Sequence, residues 1–168
     1  MKVSIITFLI SFCLLFSNSE TYAQSALDKR LDTLLSYTVP VIKQDELARI
    51  LANKNITLLD TRTQSEYDVS HLKGAKFIDY DAFAPEMVAG MDKNEPVVVY
   101  CSVGYRSEKI GEKLKELGFS NVQNLYGGIF EWKNHDHVVV NDNNTPTDSV
   151  HVYDADWGQY LHKGIKIH

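Results

Sequence analysis

Residues 96–100 form a continuous apolar run, the pattern of a strand buried on both faces of a parallel sheet. The run ends in Cys101. After Ser107 the apolar positions space out to Ile110, Leu114 and Leu117, a helical stripe with Lys and Glu on its outer face and Gly118 at the C-cap position. The same alternation recurs along the chain. Residues 56–59 predict a buried strand ending in Asp60, residues 75–78 a short strand after Gly74, and residues 121–125 a further strand. Between them, Leu47, Ile50 and Leu51 mark a helix over residues 45–51. The polar stretch 61–68 predicts a loop with a helical turn. Residues 82–88 predict a weak helix broken at Gly90, and Gly127-Gly128 a turn into a short helix holding Ile129, Phe130 and Trp132. Residues 38–42 predict an extended piece, and Pro40 points to a sheet edge. Further upstream, Leu27, Leu31, Leu34 and Leu35 share one helical face over residues 25–35, with Ser25 and Asp28 resembling a capping box.

Strands alternating with helices predict an α/β fold, a small parallel sheet flanked by helices on both faces and joined by right-handed crossovers. Functional groups of such sheets collect at the C-terminal strand ends, where Asp60, Cys101 and Tyr126 fall. The tail beyond residue 135 breaks the alternation. It predicts a C-terminal extension, either supplying an extra strand and a packing Trp157 or partly disordered over residues 141–148.

At the other end, Lys2 precedes an apolar run over residues 3–16, followed by polar residues and Thr21-Tyr22-Ala23. This predicts a secretory signal peptide over residues 1–23, cleaved after Ala23. The mature chain is then expected to be periplasmic or secreted, without stable membrane association. An uncleaved anchor is the alternative, but the run is short of the roughly 20 apolar residues of a span. The plan that results is a signal peptide (1–23), an N-terminal helix (24–37), one α/β domain (38–135) and an extension (136–168). Cleavage removes Cys13 and leaves Cys101 as the only thiol, with no internal disulfide partner. A net charge of -5 without a basic stripe argues against nucleic-acid binding.

The chemistry concentrates after the apolar run, in Cys101, Ser102, Val103, Gly104, Tyr105 and Arg106. The thiolate is the nucleophilic form of cysteine, and a helix N-terminus and a nearby cation both favour it. Gly104 permits a tight turn. Arg106 brings a fork that suits an oxyanion, and Ser107 is placed to cap the following helix. Together these predict nucleophilic attack by the Cys101 sulfur, with an anionic adduct held in the loop. The competing reading is a buried core thiol. Asp60, Arg62 and Glu66 are either acid–base groups or, more in keeping with their types, a buried ion-pair network supporting the loop. His71 reads as a loop-fixing hydrogen bonder. His135 and His137 lack an evident third ligand, so neither a metal nor a cofactor is expected. Trp132 reads as a packing residue.

Four segments in order resemble the rhodanese-like family, over about residues 39–133. Leu58-Leu59-Asp60-Thr61-Arg62 is similar to its Asp-x-Arg strand end. Glu66-Tyr67, followed by His71-Leu72-Lys73-Gly74-Ala75, is similar to its next segment, with Ser70 where glycine is common. The Cys101–Ser107 stretch resembles its active-site loop, and Leu125-Tyr126-Gly127-Gly128-Ile129-Phe130-Glu131-Trp132 its closing segment. The resemblance implies a sulfurtransferase. Cys101 would accept sulfane sulfur as a persulfide from a small sulfur-containing anion or a persulfide donor, and pass it to a thiol or cyanide. The loop would wrap the outer sulfur with N–H groups, and Arg106 would hold the anionic donor. Ser102 stands where thiosulfate-using members often carry arginine, which implies slow thiosulfate turnover or another persulfide as donor. Cysteine phosphatases, an alternative together with arsenate-reductase-like enzymes, use a loop one residue longer than the four between Cys101 and Arg106. A non-catalytic binding module is the remaining alternative.

Overall fold

Short β-branched and leucine-containing runs build the central sheet of this computed structural model, which describes residues 26–52 and 56–168. The expected signal peptide, Cys13 and Ser25 lie outside the described residues. The described residues fall into two units, residues 26–34 and the rest from residue 35 onward. In the first, residues 26–34 form helix α1. Among the described residues no helix is long and apolar enough to cross a membrane.

In the second unit, β1 (Val41–Ile42), β2 (Thr57–Asp60), β3 (Lys76–Phe77), β4 (Val97–Tyr100) and β5 (Val122–Leu125) form a parallel sheet in the order β1-β5-β4-β2-β3. β4 lies at its centre, and every one of its residues is buried. A strand flanked by two others and covered on both faces has no solvent side, so its sequence cannot alternate. β1 is an edge strand, as Pro40 foretold. Helices α2 (Gln44–Leu51), α3 (Gln64–Val69), α4 (Tyr105–Glu116) and α5 (Gly128–Asn134) flank the sheet. The core gathers Val39, Leu59, Ile78, Val97, Val99, Ile110, Leu114 and Val122 in one cluster. Leu47 of α2 is fully buried, while Ile50 and Leu51 are only partly so, because this two-turn helix buries a narrow stripe.

Several elements differ from the sequence expectation. Residues 64–69 form a helix rather than a loop with one turn. Thr63 caps it reciprocally, its hydroxyl accepting from the Glu66 N–H while the Glu66 carboxylate accepts from the Thr63 N–H. Its buried side chain is that of Glu66, so no apolar stripe announced it. The weak helix expected over 82–88 contracts to a 3-10 turn, Pro85–Val88. The extension is built from β6 (Val139–Val140), antiparallel to β7 (Pro146–Thr147), and β8 (Ser149–His151), parallel to β9 (Ile165–Ile167), with α6 (Ala155–Gly158) between β8 and β9. Residues 141–145 are the turn of the β6–β7 hairpin, in which the Asn141 side-chain Oδ1 accepts from the N–H groups of Asn143 and Thr145. Trp132 is buried and its indole N–H donates to Val138 O at 3.0 Å, whereas Trp157 lies against Tyr160 within the extension.

The turn into α5 sets how closely that helix approaches the end of β4. Gly128 takes φ 55, and a Cβ there would fall on Cys101 O and within 2.6 Å of Ser102 O. Gly128→Ala is expected to lower stability by about 2 kcal/mol or more through strain and backbone collision. Gly90→Ala, with open space around it, is expected to change stability by less than about 0.5 kcal/mol. Urea denaturation of both variants checks the contrast.

Candidate functional site

β4 delivers Cys101 to the C-terminal edge of the sheet, where the thiol is 1% exposed. Three residues on, Gly104 adopts φ 114 and ψ -10 and becomes the N-cap of α4. This left-handed turn, open to glycine at little cost, folds the loop back so that the Gly104 N–H donates to Cys101 Sγ at 3.1 Å. The helix therefore starts at Tyr105, and Ser107 does not cap it. Instead the Ser107 hydroxyl lies inside the first turn and donates to Asn124 Oδ1 at 2.7 Å. The Asn124 amide in turn donates to Gly104 O at 2.8 Å. From the other side α5 holds the loop backbone, with Ile129 N–H donating to Cys101 O at 2.9 Å and Phe130 N–H to Ser102 O at 3.2 Å.

Asn124 was missed by the sequence reading. One signal could have found it: asparagine is depleted in strands, so an asparagine inside a buried strand asks for a polar partner. Glu108 was also passed over. Its buried carboxylate on α4 accepts from the N–H groups of Ser36 at 2.9 Å and Thr38 at 3.0 Å, fastening the chain ahead of β1.

Arg106 is expected to present an open fork to an anionic donor. The structure turns that fork inward. Its Nη1 donates to Glu66 Oε2 at 2.8 Å and its Nη2 to Glu66 Oε1 at 2.7 Å, a bidentate pair. Ser102 joins it, donating to Glu66 Oε1 and accepting from Arg106 Nη2, both at 3.0 Å. Burial works against ionisation of Glu66, but the hydrogen bonds and charge of Arg106 and the Thr63 N–H outweigh it and hold the carboxyl down at about 2. Burial likewise disfavours the Arg106 cation, yet the Glu66 hydrogen bonds and the proximity of Cys101 push its proton affinity above the ordinary arginine value. On its outer side the guanidinium faces the ring of Tyr153, 5.3 Å from Cζ to the ring centroid.

The remaining expected residues divide. Asp60 and Arg62 form a fully buried pair, Nη2 to Oδ2 at 2.6 Å, and Arg62 Nη2 also donates to Ser70 O at 2.6 Å. They form the ion-pair network that the sequence favoured over acid–base chemistry, and they brace the turn after β2. His71 stacks on Tyr67 at 3.9 Å, and its backbone pairs with Val140 of the extension. Its hydrogen bonds run to Tyr67 O and, through the backbone, to Val140. Val103 is buried and Tyr105 is 39% exposed at the loop's outer side. Among the described residues no cluster of three or more His, Cys, Asp or Glu is arranged to hold a metal ion.

The arrangement thus offers a thiol at a strand end, a backbone N–H on its sulfur, and a cation already paired with a carboxylate. The profile of the rhodanese-like domain family matches residues 43–135. The chain is 33% identical over 102 residues to a tRNA uridine(34) hydroxylase of Photorhabdus laumondii, a match covering 58% of this chain and 29% of that protein. It therefore spans less than a third of that relative's length. It is also 33% identical over 90 residues to the thiosulfate sulfurtransferase GlpE of Coxiella burnetii, covering 54% of this chain and 83% of that one. Among solved structures it is similar to a rhodanese-like domain protein from Staphylococcus aureus, with TM-score 0.52, 32% identity, and coverage of 56% of this chain and 91% of that one.

Glu66 provides a direct test of the network. Its folded value lies below its unfolded value, so its contribution is complete above about pH 4.5 and is lost as the pH falls toward about 2. Glu66→Gln is expected to lower stability at pH 7 by about 3 kcal/mol, as when one partner of a buried pair is removed. The gap between variant and wild type is expected to narrow steadily in urea titrations run from pH 5 down to about pH 2.

Proposed function

Because the chain belongs to the rhodanese-like domain family, we propose that it is a sulfurtransferase carrying sulfane sulfur on Cys101. The observation that carries this reading is the Cys101–Arg106 loop itself, with the thiol held at the end of β4 under the Gly104 N–H and separated by four residues from a paired arginine. In the loading step the Cys101 thiolate attacks the outer sulfur of the donor. With a persulfide donor R–S–SH, a new S–S bond forms at Cys101, the donor S–S bond breaks, and R–S⁻ leaves. With thiosulfate the same attack releases sulfite. The sulfane sulfur is transferred between sulfur atoms, so no external oxidant is needed. An attacking acceptor thiolate then takes the outer sulfur and restores the Cys101 thiolate. The Gly104 N–H faces the sulfur that carries negative charge before attack and after release, which favours both ionic states.

The loop geometry supports sulfur over phosphate. A tetrahedral phosphoryl group wants an open arginine fork, and here Glu66 fills that fork. The net charge of -5 supports a small donor and a thiol acceptor over the nucleic-acid substrate that the hydroxylase relatives' name carries. We further read residues 1–23 as an export signal, so that transfer takes place outside the cytoplasm.

The test is an intact mass of the purified protein after incubation with thiosulfate and, separately, with cysteine persulfide. A single adduct of about 32 Da, one sulfur on a reactive thiolate, is expected from at least one donor, removable by dithiothreitol. Cys101→Ser is expected to show none. No adduct from either donor would overturn the reading.

A further inference from the structure

The family match ends at residue 135, yet the extension reaches back to the site. Tyr153 lies just after β8, and its ring covers Arg106 within cation–π range, 5.3 Å from Cζ. Four observations indicate that the fold imposes this placement. Tyr153 takes φ 66, a left-handed conformation that a bulky aromatic residue rarely adopts. Both of its neighbours are anchored: Val152 N–H donates to Ile167 O at 2.9 Å, and the Asp154 carboxylate caps α6 by accepting from the Trp157 N–H at 2.9 Å. Tyr153 itself donates its N–H to His151 Nδ1 at 3.0 Å. Finally, the side chain is 57% exposed, so burial in the core does not hold it there.

The consequence falls on Arg106. Both of its terminal nitrogens donate to Glu66, and Nη2 also donates to Ser102. With the Tyr153 ring over one face, its side chain is 17% exposed. A sulfonate-bearing donor such as thiosulfate brings two negative charges and needs a free guanidinium edge. Here it meets an occupied fork, an ionised Glu66 and an aromatic cover. A persulfide brings at most one charge, on the atom that Cys101 attacks, and makes no demand on Arg106. We infer that Tyr153 is a specificity-determining residue: it shields Arg106 from sulfonate groups and biases Cys101 loading toward persulfide donors. The donor bias rests on the sulfur-transfer reading above; the shielding of Arg106 does not.

Two substitutions separate ring from backbone. Tyr153→Gly removes the ring and accepts the left-handed φ without strain, while Tyr153→Phe retains the aromatic cover. Two measurements are made on the full mature chain. The first is kcat/KM for Cys101 persulfide formation from thiosulfate and from cysteine persulfide. Tyr153→Gly is expected to raise the thiosulfate-to-persulfide ratio about fivefold, the size of an exposed cation–π contact, through a lower KM for thiosulfate. Tyr153→Phe is expected to keep the wild-type ratio within about twofold. The second is protection of Cys101 from iodoacetamide by sulfate, which needs no sulfur transfer. The half-protecting sulfate concentration is expected to fall about fivefold in Tyr153→Gly and to stay at the wild-type value in Tyr153→Phe. An unchanged ratio overturns the donor bias, and a Phe variant that behaves like Gly overturns the aromatic shield. If no variant forms a persulfide from either donor, sulfur transfer itself fails and the donor bias falls with it. The sulfate arm then decides the shielding alone, with a fivefold gain in the Gly variant supporting it and equal protection overturning it.

Discussion

The ion pair between Glu66 and Arg106 is the contact on which the site depends. It joins the helix after β2 to the helix after β4, and the cysteine loop lies between the two. A buried carboxylate is costly unless its lone pairs are filled. Here Thr63, Ser102 and Arg106 fill them. The same carboxylate closes the capping box of α3. Local helix start and long-range loop closure are thereby tied to one side chain, so the loop is positioned by the folding of its neighbour.

This pairing also sets the electrostatics around Cys101. In a loop built for an anion, the arginine would be the net positive feature. Here its charge is compensated before any donor arrives, and the Gly104 N–H donates to the thiol sulfur. Positive potential at the sulfur comes from oriented peptide dipoles together with the neighbouring Arg106, already paired with Glu66. The extension adds to this. Through the His71–Val140 backbone pairing and the Tyr153 ring, a segment beyond the family's boundary shapes the surroundings of a family residue.

Much of the frame was legible. The unbroken apolar run before Cys101 can be buried only on both faces, which placed β4 in the middle of a parallel sheet. Ile110 and Leu114 marked the inner face of α4, and both are fully buried. What misled was polarity in buried places. α3 reads as a loop because its inward residue is a glutamate. Asn124 reads as an incidental strand residue because its role appears only once Gly104 and Ser107 stand beside it. Ser107 reads as a cap because a hydroxyl before an apolar stripe usually is one, but a left-handed glycine upstream starts the helix two residues earlier.

The sequence by itself determined the alternation of strands and helices, the strand end that carries the thiol, and the spacing from Cys101 to Arg106. These follow from burial periodicity and from the conformations open to glycine, which are properties of neighbours along the chain. The tertiary structure alone decided which way Arg106 points, what shares its charge, and that Tyr153 covers it. Those outcomes depend on groups far apart along the chain, 40 residues in one case and a residue within the C-terminal extension in the other. No periodicity encodes such a meeting, because it is set by where the sheet and its crossovers place each end.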